Sequence, residues 1–204
     1  MSLSTYADLK TSVANYLART DLTDQIPDFI SLAERRILRE VRIRQMLVSL
    51  DLTATAGSNK IALPANFLEA RDLVVVGNPT KPMNYLSPSA LSRNSLSSVS
   101  GQPANYTILA EEFQLAPSPD FAYTLSLLYF AKPASLSDDN QSNILLVNLP
   151  DMLLYAALLE AEPYLMNDAR LATWVSMYER ASVSVEKSNE TGQYSCVPLA
   201  IKAV

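Results

Sequence analysis

Residues 24–44, DQIPDFISLAERRILREVRIR, make sense only as a helix with one buried face. Ile26, Phe29, Ile30, Ala33, Ile37 and Val41 recur at i, i+3, i+4, i+7 spacing and form an apolar stripe for a core. Arg35, Arg39 and Arg42 fall together on the opposite face. Arg36, Glu40 and Arg44 run down a flank at i, i+4 spacing, where alternating charges pair. Five arginines crowd into residues 35–44 of a chain whose net charge is −5, so the outer face needs a reason. A solvated charged surface is the default for such a run. Against it, Leu32 and Ile43 flank the stripe and would stand exposed unless a partner covered them. The acidic balance speaks against phosphate as that partner, because nucleic-acid affinity needs a basic surface. Acid groups on a protein, or a second subunit, fit better.

The rest of the chain supplies what this helix packs on. Thr5-Tyr-Ala-Asp8 has the form of a capping box and opens a short first helix with Leu9, Val13, Tyr16 and Leu17 on one face. Arg19–Thr23 is a turn, Asp24 an N-cap, and Pro27 sits in the first turn, where its missing N–H costs little. At Gln45 the period changes to two: Val48, Leu50 and Leu52 alternate with Ser49, Asp51 and Thr53, as in a half-buried strand. Further strands are expected over 60–63, 70–76 and 83–86, a short helix over 88–94, and a loop tip over 95–102. A hairpin follows over 106–109 and 113–115, and then the longest strand, 121–130. Residues 131–148 read as a connecting loop.

Pro150-Asp151 opens a helix that is apolar almost all round, hence buried on more than one side, with Pro163 bending or ending it. Asp168 caps a last helix that carries Leu171, Trp174, Val175, Tyr178, Ser182 and Val185 on one face and ends near Asn189, with Gly192 as terminator. Beyond it lies an apolar arm with Tyr194, Val197, Leu199, Ile201 and Val204, interrupted by Pro198. Five apolar residues in such a short tail suit an arm that orders on a neighbour or a larger assembly. The expected class is α+β: a helical bundle built from N-terminal helices (1–45) and C-terminal helices (132–190), a β-rich subdomain inserted at 46–131, and an extended arm at 191–204.

Chemistry is hard to place on this chain. It has no histidine, which removes the usual general base and metal ligand. Its four glycines are scattered, so none builds a phosphate-cradling loop. The lone cysteine, Cys196, has neither a disulfide partner nor an activating base. Asp138-Asp139-Asn140 lacks the glycine and closing glutamate of a calcium loop and reads as a turn. No catalytic residue, metal or cofactor is expected. The first residues lack the basic and apolar regions of a signal peptide, and no run of about 18 apolar residues exists to span a membrane. A structural or interaction protein made in the cytosol fits best. The alternatives are a cytosolic, non-viral protein-binding module and a small hydrolase whose acid pair meets only in space.

The order of several short pieces resembles the head-to-tail adaptor (connector, head-completion) proteins of tailed bacteriophages. These pieces are Thr5-Tyr-Ala-Asp-Leu9, the Ile26-Pro-Asp-Phe-Ile30 and Ala33-Glu-Arg-Arg36 core, Leu63-Pro-Ala-Asn-Phe-Leu68 and Gly101-Gln-Pro-Ala-Asn-Tyr106. Leu149-Pro-Asp-Met-Leu-Leu-Tyr155 and Asp168-Ala-Arg-Leu-Ala-Thr-Trp174, followed by Tyr178-Glu179, complete the series. The resemblance implies a helical bundle with insertions that forms a ring, a dodecamer in the family, beneath the portal protein. It implies a DNA channel through which DNA only passes, a surface for tail or nozzle proteins, and a place in the virion neck after assembly in the host cytoplasm. It further implies that the C-terminal arm docks on the portal and that the outer helix face packs on a neighbour. No membrane is involved.

Overall fold

The computed structural model describes residues 3–19, 21–95, 100–165 and 169–194. It begins with helices α1 (Tyr6–Leu17) and α2 (Ile26–Glu40). Strands β1 (Leu47–Ala54), β2 (Lys60–Ala62), β3 (Phe67–Val75), β4 (Lys81–Pro82) and β5 (Asn84–Tyr85) follow. Helix α3 (Pro88–Ser95) precedes β6 (Asn105–Leu109), β7 (Glu112–Ala116) and β8 (Tyr123–Ala131). The chain then returns to helix in α4 (Ile144–Asn148), α5 (Pro150–Glu160), α6 (Glu162–Leu165) and α7 (Leu171–Tyr194). This is the expected α+β class: N- and C-terminal helices pack together, and two four-stranded sheets are inserted between them in the chain. Two compact units result, Met1–Gln45 with Pro133–Val204, and Met46–Lys132.

In the helical unit, Thr5 and Asp8 form the capping box. The Asp8 N–H donates to the Thr5 hydroxyl at 3.1 Å and the Thr5 N–H to the Asp8 carboxylate at 3.2 Å. α1 ends on Ala18 in the left-handed region, φ 53°, and Arg170 donates to the orphaned carbonyls of Tyr16 (2.8 Å) and Leu17 (3.4 Å). Its buried face is Tyr6, Leu9, Val13 and Leu17. Tyr16, expected on that face, is exposed, because Tyr6 recentres the stripe away from it.

α2 packs on α5, and α5 packs on α1 and α7 as well, so α5 is buried on several sides. The N-cap of α2 is Gln25, one residue later than expected. The larger correction is at the other end: α2 stops at Glu40 rather than Arg44. Val41 takes an extended conformation (φ −125°, ψ 140°), and Val41 and Ile43 then both enter the core as alternating residues. α5 ends at Glu160, and Pro163 falls in the separate turn α6.

The expected loop over 131–148 holds a helix, α4, capped by Asn143, whose side chain accepts from the Leu146 N–H at 3.0 Å. Glu34 secures the chain leading to it. Its carboxylate, on a residue only 4% exposed, accepts from the Leu136 N–H at 3.2 and 3.3 Å and from the Asn143 amide at 2.7 Å. α7 buries Trp174, Tyr178 and Ala181, whereas Val175 is exposed and leaves the expected face. Gly192 does not end α7, which continues to Tyr194. A Cβ at Gly192 would lie 2.7 Å from Nη1 of Arg44, so the missing side chain leaves room for that guanidinium.

In the β unit one sheet has the order β1-β8-β3-β4 and the other β2-β7-β6-β5. All pairs are antiparallel except β5 with β6. β6 and β7 form the expected hairpin, with Ala110 at φ 54° in its two-residue turn. Residues of both sheets share one core: Leu73, Val75, Phe113, Leu115, Leu125, Leu127 and Tyr129 are fully or nearly fully buried. Phe113 meets Phe67 edge-on at 5.8 Å and Tyr106 at 5.9 Å. β8 is internal and buries its alternating side chains, whereas β1 is an edge strand. Val48 and Leu50 are therefore 39% and 38% exposed, and the expected half-burial of β1 is reached only toward Ala54.

Candidate functional site

The arginines of residues 35–44 do not act as one group. Arg36 pairs with Glu160 of α5 at 3.1 Å and approaches Glu40 at 4.0 Å. Glu40 in turn accepts from the Tyr178 hydroxyl, which ties α7 to the end of α2. Burial, and then this carboxylate, push the Tyr178 phenol above its ordinary range. Arg36 is thus part of how the three helices are held.

Arg42 also turns inward. Because α2 has already ended, its guanidinium folds back onto the carbonyls of Leu38 and Val41. It closes the helix C-terminus, where a cation is favoured. Ile43 is 2% exposed and belongs to the core, so it is not on the surface beside the arginines. Arg44 lies over Gly192 of α7. The Asn189 amide bridges this stretch, donating to the Arg42 carbonyl at 2.7 Å and accepting from the Arg44 N–H at 3.4 Å.

What remains on the outer face of α2 is Arg35, Arg39 and Leu32. Arg35 and Arg39 are exposed and make no ion pair among the described residues, and Leu32 is 44% exposed. They stand one turn apart on one face. Beside Leu32 and Arg35 runs an open groove lined also by Asp28, Phe29, Glu160 and Tyr164. The rings of Phe29 and Tyr164 meet edge-on at 5.1 Å along it. The groove was not legible in the sequence, because Tyr164 reaches α2 only through the break in the chain at α5–α6. Pro163 was the one local sign of that break.

Of the expected arm, residues 191–194 continue α7. The side chain of Tyr194, together with Val197, Leu199, Ile201 and Val204, lies outside the described residues. Among the described residues no group of His, Cys, Asp or Glu is arranged to hold a metal ion, and no helix is long and apolar enough to cross a membrane. The arrangement suits contact between proteins: two unpaired guanidiniums for carboxylates, with an apolar residue and a shallow aromatic groove beside them.

Residues 4–200 match the family model described as SU10 adaptor protein. No curated protein matches the chain.

Proposed function

The chain belongs to the SU10 adaptor protein family, a family of phage head-to-tail adaptors, and from that premise we propose that it forms a ring beneath the portal. In this reading the ring lengthens the DNA channel and offers tail or nozzle proteins their attachment surface. The chain is a structural adaptor, not an enzyme. The observation that carries the reading is the extent of the family match, residues 4–200, which takes in both compact units.

Arg35, Arg39 and Leu32 are assigned to the contact with a neighbouring copy or with the portal. What supports this is that the other arginines nearby are engaged within the fold, while these two project without partners among the described residues. The apolar arm from Tyr194 through Val197, Leu199, Ile201 and Val204 is assigned to reaching a neighbouring copy or the portal. DNA only passes through: a net charge of −5 repels phosphates rather than holding them.

Electron microscopy of the purified protein mixed with portal tests the reading. A ring seated on the portal is expected, and its loss on Arg35→Glu/Arg39→Glu, with helix content retained, is expected for the α2 face. Rings unchanged by that double substitution would remove α2 from the interface. No ring at all would overturn the adaptor-ring reading.

A further inference from the structure

β1 is an edge strand of a kind that folded proteins rarely leave bare. Its pairing with β8 runs through eight successive residue pairs without a bulge, and among the described residues nothing pairs with its other side. Leu47–Ala54 contains no proline and only one charge, Asp51. Lysines, prolines, bulges and shortness are the usual protections of an edge, and β1 has none of them. The other edges differ. β4 has two residues, one of them Pro82, β5 has two and β2 three. Val48 and Leu50, on the core-facing side of β1, are more than a third exposed for want of a strand beside them.

The chain carries a segment of matching pattern. Ten residues follow Tyr194, and from Val197 onward all of them except Lys202 are apolar: Val197, Leu199, Ile201 and Ala203 in one phase, Pro198, Ala200 and Val204 with Lys202 in the other. In an extended strand the first phase forms a wholly apolar face. Added to the outer side of β1, such a strand sets Leu199 and Ile201 beside Val48, Leu50 and Leu52. The same alternation then puts Lys202 on the face of Asp51, the one charge of β1. Pro198, unable to donate, falls at the start of the paired stretch, where an edge strand tolerates it. Four residues, 195–198, precede the paired stretch and reach about 13–14 Å from Tyr194.

We propose that the C-terminal segment Leu199–Val204 of one copy pairs with the outer edge of β1 in the adjacent copy, adding a fifth strand to that sheet. This rests on the ring reading above and names the partner of the arm. A contact between two different surfaces is the kind that generates rings, whereas pairing of β1 with β1 would give only a two-fold dimer.

Disulfide trapping between copies tests it. Full-length protein with Cys196→Ser and Leu50→Cys is mixed with full-length protein carrying Cys196→Ser and one of Leu199→Cys, Ile201→Cys or Ala203→Cys, with portal present. The three arm positions cover the registers that keep the apolar faces together. Covalent dimers are expected at several-fold the yield of a control with Thr55→Cys in place of Leu50→Cys. They should fall to the control level when Leu52→Lys is added to the β1 partner. Rings visible by electron microscopy without trapping above control overturn the arm pairing and leave the adaptor reading standing. Trapping of the arm to portal instead of to β1 does the same. If no rings form, both readings fall.

Discussion

Asn189, in the last turns of α7, donates its side-chain amide to the carbonyl of Arg42 at 2.7 Å. The same amide group accepts from the Arg44 N–H at 3.4 Å. It thereby satisfies the backbone where α2 has ended and β1 has not begun, a stretch with no regular partner of its own. Asn189→Ala should cost about 1–2 kcal/mol, because a half-buried carbonyl loses its donor. Urea denaturation followed by helix signal measures it, and an unshifted midpoint would deny Asn189 this role.

Glu34 does comparable work for the chain before α4. Glu34→Ala leaves the Leu136 N–H without its acceptor and the Asn143 amide with only the Ala134 carbonyl and should cost about 2–3 kcal/mol, the range for bonds to a buried charged group. Hydrogen exchange at the Leu136 amide should speed up more than exchange in β8. Equal change at both sites would mean that the effect is not local.

The arginines of α2 should separate cleanly on substitution. Arg36→Ala removes the pair with Glu160 at 3.1 Å and should destabilise by about 1 kcal/mol, since both partners are partly screened by solvent. Arg35→Glu/Arg39→Glu should leave stability within about 0.5 kcal/mol, as for surface changes away from special features. A matching loss in both would place Arg35 and Arg39 inside the fold's own network.

Tyr178 predicts a pH dependence. Its phenol is held above the ordinary tyrosine value by burial and then by the hydrogen bond to Glu40. The neutral form is therefore favoured in the folded chain, and the stability this contributes is fully present below about pH 10, the unfolded value. It is lost as pH rises through the higher folded value. Tyr178→Phe should lower stability by about 1 kcal/mol at neutral pH through the lost bond, and should lose stability less steeply than the parent chain above pH ~10. Parallel alkaline curves for the two proteins would refute the assignment.

In the β unit, Phe113 is fully buried between the rings of Phe67 and Tyr106. Phe113→Ala should cost about 3–5 kcal/mol through the transfer and cavity terms together. Calorimetry should show the loss; a drop below 1 kcal/mol, roughly, would mean that the core collapses around the gap.

Much of the candidate surface was hidden from the sequence for one reason. On a helical wheel Arg35, Arg39 and Arg42 are equivalent, and Val41 continues the apolar stripe, so the helix reads through to Arg44. The chain instead buries both Val41 and Ile43 by becoming extended after Glu40. That removes Arg42 from the face and turns it onto the carbonyls of Leu38 and Val41. Gly192 misleads in the same way: glycine ends many helices, but here α7 passes through it and Arg44 occupies the space above it.

By itself the sequence determined where the period is 3.6 and where it is two, and hence the α+β class with strands inserted between helices. It also determined the Thr5–Asp8 cap, the buried character of α5 and the lack of histidine chemistry. These are local properties, set by side-chain spacing and composition. Tertiary structure alone decided where α2 and α7 end, and which arginines remain free. A guanidinium is spoken for or available according to which acceptors lie about 3 Å away, and for Arg36 and Arg170 those acceptors are more than a hundred residues distant in the chain. The openness of β1 was likewise decided by sheet order, which spacing along one strand does not encode.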